Sequence, residues 1–346
     1  MKSIKCSHFI SVKNIIKIFF TGLILFSSTT AYSSDSAPLN LRYEPIQPLI
    51  QPQNLDLKKV SLGEQLFNET LLSRDNDMSC ASCHNLSNNG ADHTALAIGR
   101  NKQTLNANTL TVFNSSLNSQ QFWDGRAATL KKQIDFVVSS EKEFANNWKQ
   151  ITQSLKHNKK YLSDFYNIYD DGITADNIRD AIATFEKSLI TTNSRFDQYL
   201  LGDINAISAQ EKNGYRLFKA YGCVACHQGR NVGGNMLMKF GLFGDYYKQQ
   251  NNTSKNFGRY NISADENDRY VFRVPGLRLV TLTAPYFHDG SVKTLQQAIK
   301  IMAKHQLGRS ISDKHTNDII AFLKTLPGDY QGQALNKKHQ LYIGKP

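Results

Sequence analysis

A chain of 346 residues, 40% of them hydrophobic and 20% charged, is long enough for about two domains with ordinary globular cores. That balance excludes a disordered tail or a fibrous repeat. The formal net charge is +12, which favours anionic partners.

Taken in order, residues 1–34 read as a secretory signal. Lys2, Lys5, Lys13 and Lys17 form a basic n-region, Ile15 to Phe26 is mostly apolar, and Ser27 to Ser34 is small and polar around Ala31. Cleavage is expected between Ala31 and Ser34. The apolar run is too short for a comfortable membrane span, so no stable insertion is expected. Residues 35–60 carry Pro38, Pro45, Pro48 and Pro52 and read as an extended arm. Ser61-Leu62-Gly63-Glu64 is a capping-box pattern that predicts a short helix bearing Leu66 and Phe67. Ser208-Ala209-Gln210-Glu211 predicts a second helix, bearing Leu217 and Phe218.

Each of these helices is followed by the same signature: Cys80-Ala81-Ser82-Cys83-His84 and Cys223-Val224-Ala225-Cys226-His227. Cys-x-x-Cys-His is the attachment site of a c-type haem. The two thiols add to vinyl groups along one haem edge, and the His turns under the ring to reach the iron. A zinc site would pair Cys-x-x-Cys with further ligands about 12–20 residues on. Here the two pairs stand in opposite halves of the chain and each carries its own His. A redox pair would sit near a βαβ pattern, and none is apparent. Two covalently bound haems are therefore expected. Of the five Cys, Cys6 leaves with the signal and the haem motifs consume the other four, so no disulfide is expected. Export and covalent haem agree on a bacterial periplasm, an address that sets nucleic acid aside as a partner.

Two repeats frame the motifs. Gly63-x-x-Leu66-Phe67 matches Gly214-x-x-Leu217-Phe218. Ile182-x-x-Phe185-x-Lys187-Ser188-Leu189 matches Ile319-x-x-Phe322-x-Lys324-Thr325-Leu326 without gaps, with the apolar spacing of a helix face. Pro327-Gly328 ends the second copy. Residues 85–120 and 228–270 are rich in Asn, Ser and Gly without a sustained period and read as loops. The expected fold is mostly α: two cytochrome c-like haem domains in tandem with long loops, over residues 61–192 and 193–346, with a border near Thr191–Ser194 and a C-terminal tail.

Gln121-Phe122-Trp123-Asp124-Gly125-Arg126, Ala284-Pro285-Tyr286-Phe287-His288-Asp289-Gly290-Ser291 and Gln306-Leu307-Gly308 add a family signature to the two haem motifs. From about Leu62 to Pro327 the chain resembles the bacterial di-haem cytochrome c peroxidases. The resemblance implies reduction of hydrogen peroxide to water with electrons from a small periplasmic donor protein. The C-terminal haem would collect electrons and the N-terminal haem would meet peroxide. Met302 would face His227 across the C-terminal haem; by residue type alone, Met236 and Met238 are also candidates. A related branch that matures a protein partner carries Tyr in place of this Met, so Met302 favours the peroxidase reading. Gln133 and, ten residues on, Glu143 would supply acid–base and polar contacts for O–O cleavage. Trp123 would lie between the haems as an electron route. His288 would sit near a haem edge. Asn108, Thr283 and Pro285 match a calcium site between the domains, where oxygen ligands suit the ion. Dimers are common among such proteins, so a homodimer is a candidate assembly. The basic surface favours a donor with an acidic docking face.

Two departures stand out. Asp135-Phe136-Val137 replaces the family's Gly-Pro-Ile between Gln133 and Glu143. Ala97-Ile98-Gly99-Arg100 stands where many members carry a distal His, and a guanidinium has no lone pair to offer iron. The N-terminal haem is thus expected to accept peroxide without prior reduction, with Arg100 near its open face; His93 is the one nearby imidazole that could fill that face instead. His157, His305, His315 and His339 read as surface or packing residues. Two rival functions share the motifs: a di-haem oxidase acting on a protein partner, and an electron-transfer cytochrome without enzyme activity. Glu143 and Gln133 argue against the second.

Overall fold

The structure, a computed structural model, describes residues 43–249 and 256–336; the signal segment and the first part of the arm lie outside the described residues. Helix α1 spans Leu57–Phe67 and so begins before the expected box at Ser61. Asp56 is its cap: the carboxylate accepts from Lys58 N at 2.9 Å and Lys59 N at 3.3 Å, satisfying two N–H groups that the helix itself leaves unpaired. Ser61 is then an interior residue. Helix α2 (Cys80–Cys83) carries the first haem motif. Helices α3 (Leu130–Ser139), α4 (Trp148–Lys156), α5 (Lys159–Tyr166), α6 (Ala175–Ser188) and α7 (Arg195–Leu200) follow. Helix α8 (Ala209–Tyr221) opens on the expected box: Ser208 Oγ accepts from Glu211 N, and the Glu211 carboxylate accepts from Ser208 N at 2.7 Å.

Beyond the second motif lie the short helices α9 (Tyr246–Gln249) and α10 (Tyr260–Ser263), then α11 (Leu295–Ile301) and α12 (Asp313–Leu323). Helix α11 runs into a π-helical turn over Met302–Gln306. Strands are few and short among the described residues. β1 (Leu237–Lys239) pairs antiparallel with β2 (Val271–Arg273), Met238 opposite Phe272. β3 (Asp329–Tyr330) pairs with β4 (Gln333–Ala334). The fold is mostly α, as the sequence predicts.

The repeats pack alike. Helix α1 crosses α6, and α8 crosses α12. Gly63 and Gly214 sit at equivalent crossings. A Cβ on Gly63 would run into the Ala181 carbonyl, and one on Gly214 into that of Asp318, so both positions need the bare backbone. One buried cluster gathers Leu62, Phe67, Phe113, Ile182 and Phe185, with Phe67 and Phe185 edge to face at 5.3 Å. A second gathers Phe196, Tyr215, Phe218 and Phe322, with Phe196 and Phe322 at 4.9 Å. Two segments are lent from one half to the other's cluster. Ile46 of the arm is buried in the second cluster, bridged to Gly229. Tyr330 and Leu335 of the last hairpin are buried in the first, Tyr330 edge to face with Phe113 at 5.0 Å.

Candidate functional site: two cavities with a common wall

A cavity of about 460 Å³ is lined by Cys80, Cys83 and His84; another, of about 220 Å³, is lined by Cys223, Cys226, His227 and Met302. His84 Nδ1 lies 3.2 Å from the Gly90 carbonyl and His227 Nδ1 lies 3.3 Å from that of Val232. A carbonyl only accepts, so each Nδ1 carries the hydrogen and each Nε2 keeps its lone pair, the arrangement of a metal-ligating imidazole. Burial lowers both imidazoles below their usual pKa, His227 to about 4, which keeps them neutral. Burial pushes the thiols the other way: Cys83 and Cys223 rise to about 11, and Cys80 rises further. A redox pair or a zinc site needs thiolates. Among the described residues no three or more His, Cys, Asp and Glu side chains are grouped so as to hold a metal ion between them. The donor sets fit covalent haem with one axial imidazole each.

Helix α3 presents Leu130, Gln133, Ile134 and Val137 to the first cavity, the i, i+3, i+4, i+7 stripe of one helix face. Asp135 lies off that stripe, where its carboxylate accepts from Trp148 Nε1 at 2.9 Å and Arg179 at 2.7 Å. The departure at Asp135-Phe136-Val137 therefore leaves Gln133 on the cavity. Glu143 follows in a turn and also lines it, half-buried. Burial raises its carboxyl above the usual range, while a hydrogen bond from Ser140 and the charge of Arg126 pull it back. Its neighbour Glu141 is an exposed partner of Arg74. Arg126 completes this wall: its guanidinium lies 3.5 Å over the Phe122 ring and pairs with Asp124 at 2.6 Å.

Arg100 is not brought to the cavity, contrary to the expectation. Its Nε pairs with Asp75 at 2.5 Å, and left-handed Asn101 and Lys102 turn the chain there, so Ala97 and Gly99 of that stretch line the wall while Arg100 does not. The competing Asp75 carboxylate is the physical reason. His93 also lies off the cavity. Its Nδ1 lies 3.2 Å from the Ala284 carbonyl and its Nε2 lies 2.9 Å from that of Asn88.

Met302 begins the π-helical turn and lines the second cavity, while Gln306 of the same turn accepts from Gly241 N at 2.9 Å. Such turns recur where a helix must present one side chain out of register. Met238 lines the same cavity from β1. His288 is buried against it, stacked on Phe272 at 4.3 Å, with Nε2 unpartnered. Burial lowers its imidazole to about 4. Asn108, Thr283 and Pro285 line this cavity too. Asn108 Nδ2 donates to the Thr94 carbonyl at 2.8 Å, and the Asn108 carbonyl accepts from Trp123 Nε1 at 2.9 Å. Residues 108–111, Trp123 and Arg273 line both cavities and form their common wall.

Sequence reasoning missed Glu186. Ile182 and Glu186 of α6 line the first cavity, and their repeat counterparts Ile319 and Leu323 of α12 line the second. An acid standing for leucine in a gapless repeat was the available signal. Glu186 is buried, its Oε2 has no partner, and burial lifts its pKa from 4.5 to about 8. Between those values the unfolded chain gives up a proton that the folded chain keeps, so folding stability falls as pH rises across this window. Glu186→Gln should flatten that fall and be the more stable protein at pH 8, as read by denaturant midpoints from pH 4.5 to 8.

The fold and the two cavities define a di-haem c-type redox protein. A family described as di-haem cytochrome c peroxidase matches residues 57–205. The cytochrome c551 peroxidase of Nitrosomonas europaea is 42% identical over 297 residues, covering 85% of this chain and 87% of that protein. The cytochrome c peroxidase Ccp of Escherichia coli is 43% identical over 299 residues, covering 86% of this chain but 64% of that longer protein. A crystal structure of a MauG-like protein associated with microbial copper homeostasis shares the fold, with a TM-score of 0.70 at 24% identity over 82% of this chain and 93% of the other. The chain belongs to the di-haem cytochrome c peroxidase family.

Proposed function

We propose that the protein reduces hydrogen peroxide to two waters, consuming two electrons and two protons, at the first cavity. The observation that carries this reading is the convergence of Gln133, Glu143 and Arg126 on the cavity of His84. The haem iron, when bound, supplies the electrons and the site where peroxide is held. Glu143, with its raised pKa, takes the proton from one peroxide oxygen and returns it to the departing one. The Gln133 amide and the Arg126 guanidinium stabilise the negative charge that develops as the O–O bond breaks. On the other side, His227 and Met302 hold the electron-collecting haem, since a thioether ligand favours electron transfer. Trp123, common to both cavities, is the route between them. Asn108, Thr283 and Pro285 would offer oxygens to a calcium ion.

A small reduced redox protein is the proposed donor, met at the second cavity. Phe243 is exposed beside Gly308 and its chain neighbour Leu242 is exposed too, with exposed Lys239, Lys304 and Arg309 close by in the chain, which suits an acidic face around an apolar contact. The signal pattern at residues 1–34 and the covalent haem chemistry support a periplasmic address. The displacement of Arg100 and His93 from the first cavity supports an N-terminal haem that meets peroxide without prior reduction. Haem-loaded protein should show a high-spin ferric signal by electron paramagnetic resonance when fully oxidised, react with peroxide before any reductant is added, and oxidise a small reduced cytochrome in proportion to peroxide. Two low-spin haems with no reaction until reduction would overturn the open-site reading, and no peroxide-dependent oxidation at all would overturn the function.

A further inference from the structure

Two arginines five positions apart are both buried, and the chain treats them differently. Arg278 is paired with Asp197 at 2.7 Å. Arg273, 3% exposed, has no acidic partner among the described residues. Its Nε donates to the Phe122 carbonyl at 3.1 Å, and its backbone N donates to the Trp123 carbonyl at 2.6 Å. Among the described residues its guanidinium makes no other hydrogen bond. A buried cation without a counter-charge is strongly unfavourable. Consistent with that, burial alone lowers Arg273 to about 10.

Arg273 also occupies a singular place. Of the residues that line both cavities it is the only charged one. Its grip on Phe122, whose backbone is held at φ +66, and on Trp123 fixes it to the common wall. Among the described residues the polypeptide supplies a carboxylate for Arg278 and none for Arg273. A c-type haem brings two carboxylates of its own, the propionates, and this wall separates two such groups on the reading given above, on which the inference rests.

We propose that Arg273 is a counter-ion shared by the two haems, a positioning residue whose guanidinium serves propionate carboxylates from both cavities and holds both reduction potentials up. The physical step is simple. A cation beside a propionate cancels negative charge that would otherwise oppose adding an electron to the ring. A residue that served one haem would move one potential; a residue that only braced Trp123 would move neither.

The test is a spectroscopic redox titration of the haem-loaded full chain, following both haems, in Arg273→Gln and Arg273→Lys. Haem content is counted first. Two haems in the parent chain establish the di-haem reading, and their absence defeats that reading rather than this one. With both haems attached, Arg273→Gln should lower both midpoint potentials, and Arg273→Lys, which keeps the charge but not the fork, should hold both close to the parent values. Unchanged potentials in Arg273→Gln, or a shift confined to one haem, overturn the proposal. If Arg273→Gln fails to load haem, Arg273→Lys decides by pH: both potentials should fall together as the buried ammonium loses its proton, beyond any pH dependence of the parent, and potentials that track the parent at every pH reject the shared charge.

Discussion

Glu143→Gln should keep the fold and both haems and lose about 10²- to 10⁴-fold in peroxide turnover, the usual contribution of a positioned acid–base group. The amide is close in size to the carboxyl and cannot exchange a proton near neutral pH. The side chain is half-buried on the first cavity, so its loss of charge leaves no buried ion unpaired. The raised pKa sets a second expectation. Burial is the largest influence on this carboxyl, opposed by the Ser140 hydrogen bond and by the charge of Arg126, so Arg126→Gln should raise the pKa further. The acidic limb of the pH–rate profile should then move to higher pH, because the deprotonated form that accepts the first proton appears later. Activity of Glu143→Gln within a few-fold of the parent would remove Glu143 from the mechanism.

Arg278→Met should destabilise the protein by about 3–5 kcal/mol, the range for breaking a buried pair and stranding its partner. Arg278 and Asp197 are 1% and 2% exposed. The arginine also donates to the carbonyls of Arg230 and Gln47, each at 2.8 Å, and Asp197 accepts from Leu49 N at 3.2 Å. One pair thus ties the arm, the start of α7 and the loop after the second haem motif. The double variant Arg278→Met/Asp197→Asn should lose less than the single one, because no charge is then left alone. Denaturant unfolding of the two variants measures the difference; equal losses would mean that the hydrogen bonds matter and the charge does not.

The haem sites were legible because covalent attachment fixes residue type and spacing in a contiguous stretch. The two helix crossings were legible because Gly63 and Gly214 recur at one place in a repeated pattern. The start of α1 was misread, since Asp56 and Ser61 are both competent caps and only the folded chain shows which one meets free N–H groups. Gln133 and Glu143 came from family likeness, not from their own stretch of sequence. Arg100 shows the limit of that likeness. A missing ligand can be read from sequence, but the place of its substitute depends on Asp75, 25 positions away. Arg273 sits on a three-residue strand, too short to announce which of its side chains turn inward.

The two lent segments bear on how far the halves are separable. Each half lends the other a buried segment: the arm gives Ile46 to the later cluster, and the last hairpin gives Tyr330 and Leu335 to the earlier one. A protease cut near Thr192 would therefore not release two autonomous cytochromes. The N-terminal fragment would carry off Ile46 and expose Phe113, while the C-terminal fragment would keep Tyr330 with nothing to bury it. The architecture is repeated, but the straps make it one indivisible body, and the spacing of its two cavities follows from those borrowed side chains rather than from a linker.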